Sequence, residues 1–325
     1  MTISAPLARA SRSASADLPL AVGPAISQMR GAMQFALTLV GSEAPSAVGR
    51  VAQALAAARA RVKEPRPLGP DAVDLLVEAQ DLAMVRSAAE KALEGVPVDV
   101  CIQPWTGRKK RLFVADMDST IINVECLDEL ADFAGVKEKV SAITERAMRG
   151  ELVFEDALRE RVAMLKGLDI SSLEECYDER VRLNPGARTA VETMARNGAR
   201  CVLVSGGFTF FTRRVAQAAG FHEQRGNTLC EDGGVLTGKV GEPILGREAK
   251  LATLKEEAAR LDIPLSETMA IGDGANDLAM IGAAGLGIAY RAKPIVAEQA
   301  DARIDHADLT AMLYFQGYRQ EEFAA

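Results

Sequence analysis

Apolar positions change their spacing twice along this chain, and each change marks a unit. Residues 33–40 alternate apolar and mixed positions and predict a strand, and residues 44–62 are Ala-rich with helical spacing. A loop with Pro65, Pro67 and Pro70 follows, then a strand over 72–79, a helix over 82–93 and a strand over 96–102. That order predicts a small α+β, ferredoxin-like domain over residues 29–103, with residues 104–110, which include Pro104 and Gly107, as a linker. From residue 111 short apolar runs appear at 112–115, 201–204, 269–271 and 286–289, with helical patterns between most of them. Strands alternating with helices imply βαβ units, so residues 111–325 are expected to be an α/β domain on a largely parallel, Rossmann-like sheet. No strand signal lies between the first run and Arg182. Helical segments separated by Gly135, Gly150 and Gly167 occupy that stretch and predict a helical cap inserted at about residues 124–182. The sequence Glu231-Asp-Gly-Gly234 predicts a hairpin turn.

Composition removes several classes of function. A net charge of −7 with no basic face argues against nucleic-acid binding. The one basic cluster, Arg108-Lys-Lys-Arg111, reads as a solvated linker. No window approaches the roughly 18 apolar residues needed to span a bilayer, so no membrane role is expected. Residues 1–28, rich in Ala, Ser and Pro with Arg9 and Arg12, read as a disordered tail, with a targeting peptide as the weaker reading. Cys101, Cys126, Cys176, Cys201 and Cys230 show no metal or disulfide spacing, which favours reduced thiols and a cytoplasmic location. His222 and His306 lie outside any motif, so a Ser-His-Asp hydrolase is hard to build. Gly282-Ala-Ala-Gly-Leu-Gly287 leads into a strand, not out of one, so it is no dinucleotide loop.

The chemistry gathers at strand ends, where open α/β sheets bind ligands. Asp116-Met-Asp118-Ser-Thr120 follows the run 112–115, Ser205-Gly206-Gly207 follows 201–204, and Gly272-Asp273-Gly-Ala-Asn276-Asp277 follows 269–271. A hydroxyl and glycine N–H groups at a strand end suit a phosphate. Lys250, on a helical stretch, is the cation that could join them. Asp116, Asp118, Asp273 and Asp277 in one crevice would repel one another by a few kcal/mol per pair. One lysine cannot offset that, so the site calls for a hard, oxygen-ligated cation, and phosphate chemistry favours Mg²⁺.

These four motifs together resemble those of the haloacid dehalogenase superfamily. Their wording is similar to the branch that hydrolyses phosphoserine, over about residues 110–318, including Glu125, Met148-Arg-Gly-Glu151, Phe154 and Arg159–Gly167 in the cap. The resemblance implies a small-molecule substrate, O-phospho-L-serine, cleaved in the final step of serine synthesis. It implies Asp116 as nucleophile and Asp118 as general acid and base. Ser205, the Gly206 backbone and Lys250 would hold the phosphoryl oxygens, and Asn276 would contact the substrate and steady the metal shell. Mg²⁺ would sit on Asp116, Asp273 and Asp118, the last through its backbone carbonyl, with Asp277 behind. Glu125 would take the substrate ammonium and Arg161 its carboxylate, while Met148 and Phe154 would form an apolar wall. The N-terminal module resembles ACT modules in topology only, and packing or homodimer formation is the expected role. Two competitors stay open: a phosphotransferase of the same superfamily acting on an alcohol such as homoserine, and a serine-sensing regulator with the same fold.

Overall fold

Each apolar run needs hydrogen-bonding partners on both edges, and in this protein most of them share one sheet. The computed structural model describes residues 32–148 and 151–325; the expected tail over residues 1–28 lies outside the described residues. The chain begins with β1 (Met33–Val40), α1 (Ala44–Ala57), β2 (Arg61–Val62), β3 (Arg66–Gly69), β4 (Ala72–Ala79), α2 (Leu82–Ala92) and β5 (Asp99–Pro104). β1 runs antiparallel between β4 and β5, and β2 and β3 both pair with β4. With β3 set aside as an extra strand on β4, this is the β-α-β-β-α-β path of ferredoxin-like units, in the order β2-β4-β1-β5. Leu37, Leu39, Leu75 and Val77 bury one sheet face against Val51 and Leu55 of α1 and Val85 of α2. Helix α1 stops at Ala57, short of the expected residue 62. Arg59 turns the chain with φ of 63°, and Arg61 and Val62 exchange alanine helicity for pairing with β4. The proline-bearing β3 lies along the sheet margin, where a missing N–H costs little.

The second unit comprises β6 (Leu112–Ala115), α3 (Cys126–Phe133), α4 (Lys137–Met148), α5 (Phe154–Ala163), α6 (Ser171–Arg180), α7 (Ala187–Arg196), β7 (Arg200–Phe208), α8 (Thr209–Ala219) and β8 (Glu223–Asn227). It continues with β9 (Leu229–Asp232), β10 (Val235–Val240), α9 (Glu248–Arg260), β11 (Thr268–Gly272), α10 (Leu278–Ala283), β12 (Leu286–Tyr290), α11 (Pro294–Ala297), β13 (Ala302–Ile304) and α12 (Ala311–Phe315). Six strands, in the order β13-β12-β11-β6-β7-β8, are parallel. In β6, Phe113 and Ala115 pack to one side and Leu112 and Val114 to the other, as a strand buried on both faces requires. Ala302 of β13 bridges antiparallel to Cys101 of β5, so one sheet of 11 strands runs through both units. The five cysteines are free. Among the described residues, no helix is long and apolar enough to cross a membrane.

The basic cluster is not the solvated stretch its composition suggests. Arg108, 8% exposed, reaches Asp74 at 2.6 Å, the Thr38 hydroxyl at 2.9 Å and the Phe315 carbonyl at 3.0 Å. Lys110 donates to the carbonyls of Ser266, Gly107 and Gly285, and Lys109 lies over the Tyr318 ring. Only Lys109 and Arg111 keep half of the side chain in water. Arg108 thus ties the first unit, through its buried charge pair with Asp74, to the end of α12 in the second. Replacing Arg108 with Leu should cost about 3–5 kcal/mol, because Asp74 would stay buried without its cation. Adding Asp74→Asn should recover most of that cost. Urea unfolding of the single and double variants measures both, and a single-variant loss under about 1 kcal/mol would contradict the assignment.

The cap, α3 to α6, leaves and re-enters the sheet at one place. Ile122 bridges antiparallel to Leu183, and Asn123 exchanges hydrogen bonds with the Arg182 backbone. The Asn184 amide donates to the carbonyls of Thr120 and Ile122 at 2.8 and 3.0 Å. Hairpin β9–β10 turns at Gly233 and Gly234, both with positive φ, and Asp169 of the cap bridges to its Val235.

Candidate active site

Strand β6 ends at Ala115, so Asp116 and Asp118 belong to the loop beyond it and not to the strand's alternation. That loop closes into a turn in which the N–H groups of Ile121 and Ile122 both donate to the Met117 carbonyl, with Ser119 at φ 54°. The turn brings Asp118 back beside the next motif. Its Oδ2 accepts the Ser205 hydroxyl at 2.8 Å and its Oδ1 the Cys126 N–H at 2.9 Å.

Ser205 lies inside β7, which does not stop at Val204. The register jumps from Val204 opposite Arg225 to Phe208 opposite Asn227, so residues 205–207 bulge out of the ladder. The glycines there answer to close approaches. A Cβ on Gly207 would come within 2.9 Å of Asp118 Oδ2 and 3.0 Å of Ser205 Oγ, and one on Gly206 within 3.0 Å of the Phe154 ring. Phe154 at the head of α5 therefore packs the cap onto this bulge.

The third cluster is electrostatic. Lys250 sits on the buried face of α9 with Thr253, Leu254 and Glu257, and is 2% exposed. Its ammonium bonds Asp116 Oδ1 at 2.8 Å and Asp277 Oδ1 at 2.6 Å. Carboxylate oxygens of Asp116, Asp273 and Asp277 lie within 4.8 Å of one another. Burial alone would depress the Lys250 pKa, but Asp116 and Asp277 more than offset this and raise it. The surplus negative charge falls on the acids. Burial, then the charges of Asp277 and Asp118, push Asp116 well above the usual carboxylate range, and burial with Asp277 raises Asp273. Gly274 N–H holds Asp277 Oδ2, and the Thr120 hydroxyl holds Asp273 Oδ1 at 3.1 Å. Asn276, half buried, lies against Gly274.

Asp277 thus stands within the acidic cluster, while the Asp118 carboxylate is turned away toward Ser205. Among the described residues the cluster holds oxygen donors alone and one lysine, which is the donor set of a hard divalent cation. Thr120 and Ser119 were readable only as parts of the first motif. Ser119 donates to Glu125 at 2.7 Å, and no local pattern announces that contact.

In the cap, Glu125 stands immediately before α3 at the crevice mouth. Partial desolvation there, then the Asp118 charge, hold its carboxyl up at about 7. Arg161, half buried on α5, feels the charges of Asp128 and Glu125, and burial lowers its pKa. The Glu125 carboxylate and the Arg161 guanidinium thus stand near enough to feel each other's charge. The Met148 side chain, with residues 149 and 150, lies outside the described residues.

A family model for haloacid dehalogenase-like hydrolases matches residues 113–282. The chain belongs to that family. It is 48% identical over 208 residues to a phosphoserine phosphatase of Polaromonas sp., covering 62% of this chain and 88% of that protein. Among solved structures it resembles a probable phosphoserine phosphatase of Vibrio cholerae, with a TM-score of 0.71 and 28% identity, over 89% of this chain and 87% of that one. It also resembles a phospho-aspartyl intermediate analogue of a phosphoserine phosphatase, with a TM-score of 0.59 and 40% identity, over 64% of this chain and 99% of that one.

Proposed function

We propose that this chain is a magnesium-dependent phosphoserine phosphatase, which hydrolyses O-phospho-L-serine to serine and phosphate. The observation that carries the reading is the meeting of Asp116, Asp118, Ser205 and Lys250 in one crevice, beneath a cap that offers Glu125 and Arg161 with opposite charge. Asp116 attacks phosphorus as the bond to the serine oxygen breaks, and the products of this first step are an aspartyl phosphate and free serine. Asp118 gives its proton to the departing oxygen, then takes one from the water that attacks the aspartyl phosphate. That second attack releases phosphate and restores Asp116. The Ser205 hydroxyl, the Gly206 N–H, the Asn276 amide and Lys250 hold the phosphoryl oxygens. In doing so, Ser205 exchanges its bond to Asp118 for one to the phosphoryl group.

The surplus negative charge around Lys250 fits a Mg²⁺ held by Asp116, Asp273 and the Asp118 carbonyl, with Asp277 supporting; it would neutralise charge on the transferring group. Phosphate release from a panel of phosphorylated small molecules, with Mg²⁺ and then with chelator, tests the reading. Phosphoserine should be turned over in preference and only with the ion. Serine binding without phosphate release would favour the sensor, and phosphohomoserine formed with added homoserine would favour the transferase. A reduced, cytoplasm-like setting suits the free thiols. Dimerisation belongs to the same proposal. The β2–β3 margin, broken by prolines and charged by Arg61 and Lys63, is poorly made for edge pairing, so a dimer would use another face. Light scattering reads the mass.

Substrate choice follows from the two cap charges. Arg161→Ala should reduce kcat/KM for phosphoserine by about a hundredfold, as loss of a bidentate charged contact does, and for a phosphate ester lacking a carboxylate far less. Equal losses would make Arg161 structural. Glu125 must be ionised to hold an ammonium. Activity on phosphoserine should therefore fall as pH drops through about 7, the range of its carboxyl in the metal-free site. Metal binding nearby would draw that range downward. Glu125→Gln should flatten this limb of the pH profile, and an unchanged limb would assign it elsewhere.

A further inference from the structure

Asn227 closes β8 at the far side of the Ser205–Gly207 bulge and is 2% exposed. Its amide has three bonds. Nδ2 donates to the Gly206 carbonyl at 2.8 Å and to the Leu245 carbonyl at 3.2 Å, and Oδ1 accepts the Leu245 N–H at 2.7 Å. Only one orientation of the amide satisfies all three, because two acceptors face one end and a donor faces the other.

The Gly206 carbonyl shares a peptide plane with the Gly207 N–H, and in a trans peptide the two point in opposite directions. That N–H donates to Ser205 Oγ at 2.8 Å, and Ser205 Oγ donates to Asp118. Two glycines in sequence offer little resistance to a rotated peptide, so their orientation must come from partners. Asn227 grips one end of the plane and Ser205 the other. Leu245 precedes α9, the helix that carries Lys250, and Glu242 in the same loop pairs with Arg159 of the cap. The Asn227 amide is therefore the buried joint between the bulge and the segment leading to Lys250.

We infer that Asn227 is a positioning residue for the phosphoryl cradle: it keeps the Gly206 carbonyl out of the site and so keeps the Gly207 N–H on Ser205 Oγ, which fixes the hydroxyl that meets the anion. The inference rests on the phosphatase reading above. Without the Asn227 amide the Gly206–Gly207 plane is free to turn, and a carbonyl oxygen turned inward would repel phosphate. An aspartate at this position keeps the shape but sets a buried carboxylate against two carbonyl oxygens.

The test uses the full chain with Mg²⁺, comparing wild type with Asn227→Asp and Asn227→Ser. Wild-type turnover of phosphoserine is the control for the function itself; its failure would sink that reading and leave the positioning question without a subject. Given turnover, both variants should lower kcat/KM for phosphoserine and raise the inhibition constant of inorganic phosphate by roughly tenfold or more, the scale of one or two lost buried hydrogen bonds. The inhibition constant of serine, read by the cap, should move less than about twofold. A general loosening of the fold would shift both constants together, and that result overturns the inference. So does an unchanged phosphate constant in a folded variant. If neither variant folds, Asn227 determines the fold and not the cradle, and the inference is equally overturned.

Discussion

Asp116→Asn should end turnover of phosphoserine while leaving the protein at least as stable as before when no metal is added. The chemical half follows from electron supply: an amide oxygen cannot form the acyl phosphate, so kcat should fall by at least about a thousandfold, the scale of losing a covalent nucleophile. The stability half follows from the surplus charge at Lys250. Burial first, and then the charges of Asp277 and Asp118, push the Asp116 pKa well up. An acid whose folded pKa is raised contributes less stability as pH rises, because the folded state must give up a proton it prefers to keep. A neutral amide of the same shape removes that cost. Steady-state kinetics and thermal melts check the two halves separately. Retained activity above a trace would remove Asp116 from the reaction. A large drop in melting temperature without metal would show that the carboxylate is needed for the fold.

Lys250→Met should do the opposite to stability. The substitution keeps the length of the side chain but removes the cation that lies between Asp116 and Asp277. Breaking a buried pair from one side costs about 3–5 kcal/mol, and loss of a charged phosphoryl contact costs about a hundredfold or more in kcat. The loss of stability should depend on pH in a definite direction. With Lys250 gone, nothing opposes the upward push on Asp116, which can then take a proton and relieve the repulsion. The variant should therefore be closest to wild type in mildly acidic buffer and furthest from it in mildly alkaline buffer. Denaturant unfolding at both ends of that range measures this, and a flat or reversed difference would contradict the shared-lysine arrangement.

What could be read from the residues alone was whatever the chain encodes locally. Runs such as Leu112-Phe-Val-Ala115 mark strands buried on both faces, and the acids after them mark strand ends. The helical stretch between residues 124 and 182 was legible because no strand pattern competes with it. What escaped depends on partners distant in sequence. Arg108 looks solvated inside a run of four basic residues, because Asp74 lies 34 residues before it and the Phe315 carbonyl 207 after it. The pairing of β5 with β13 likewise joins segments that no local spacing relates. In β7, the apolar run stops at Val204 while the strand resumes at Phe208, since a bulge of Ser and Gly has no apolar signature. Asn227 carries no local motif, and its three bonds appear only once Gly206 and Leu245 are brought around it.

The neighbouring exit and return of the cap has a consequence for how such a protein can change. Ile122 and Leu183 face each other across a single bridge, so the chain enters and leaves some sixty residues at one port, and their other ties, through Asp169, Arg159 and Phe154, are non-covalent. Whatever grows or shrinks beyond that port leaves the sheet's spacing undisturbed. The sheet that carries the acidic cluster and the helices inserted above this port can thus change length independently, and another insertion grafted between the same two positions would leave the strands under Asp116 and Asp273 where they are.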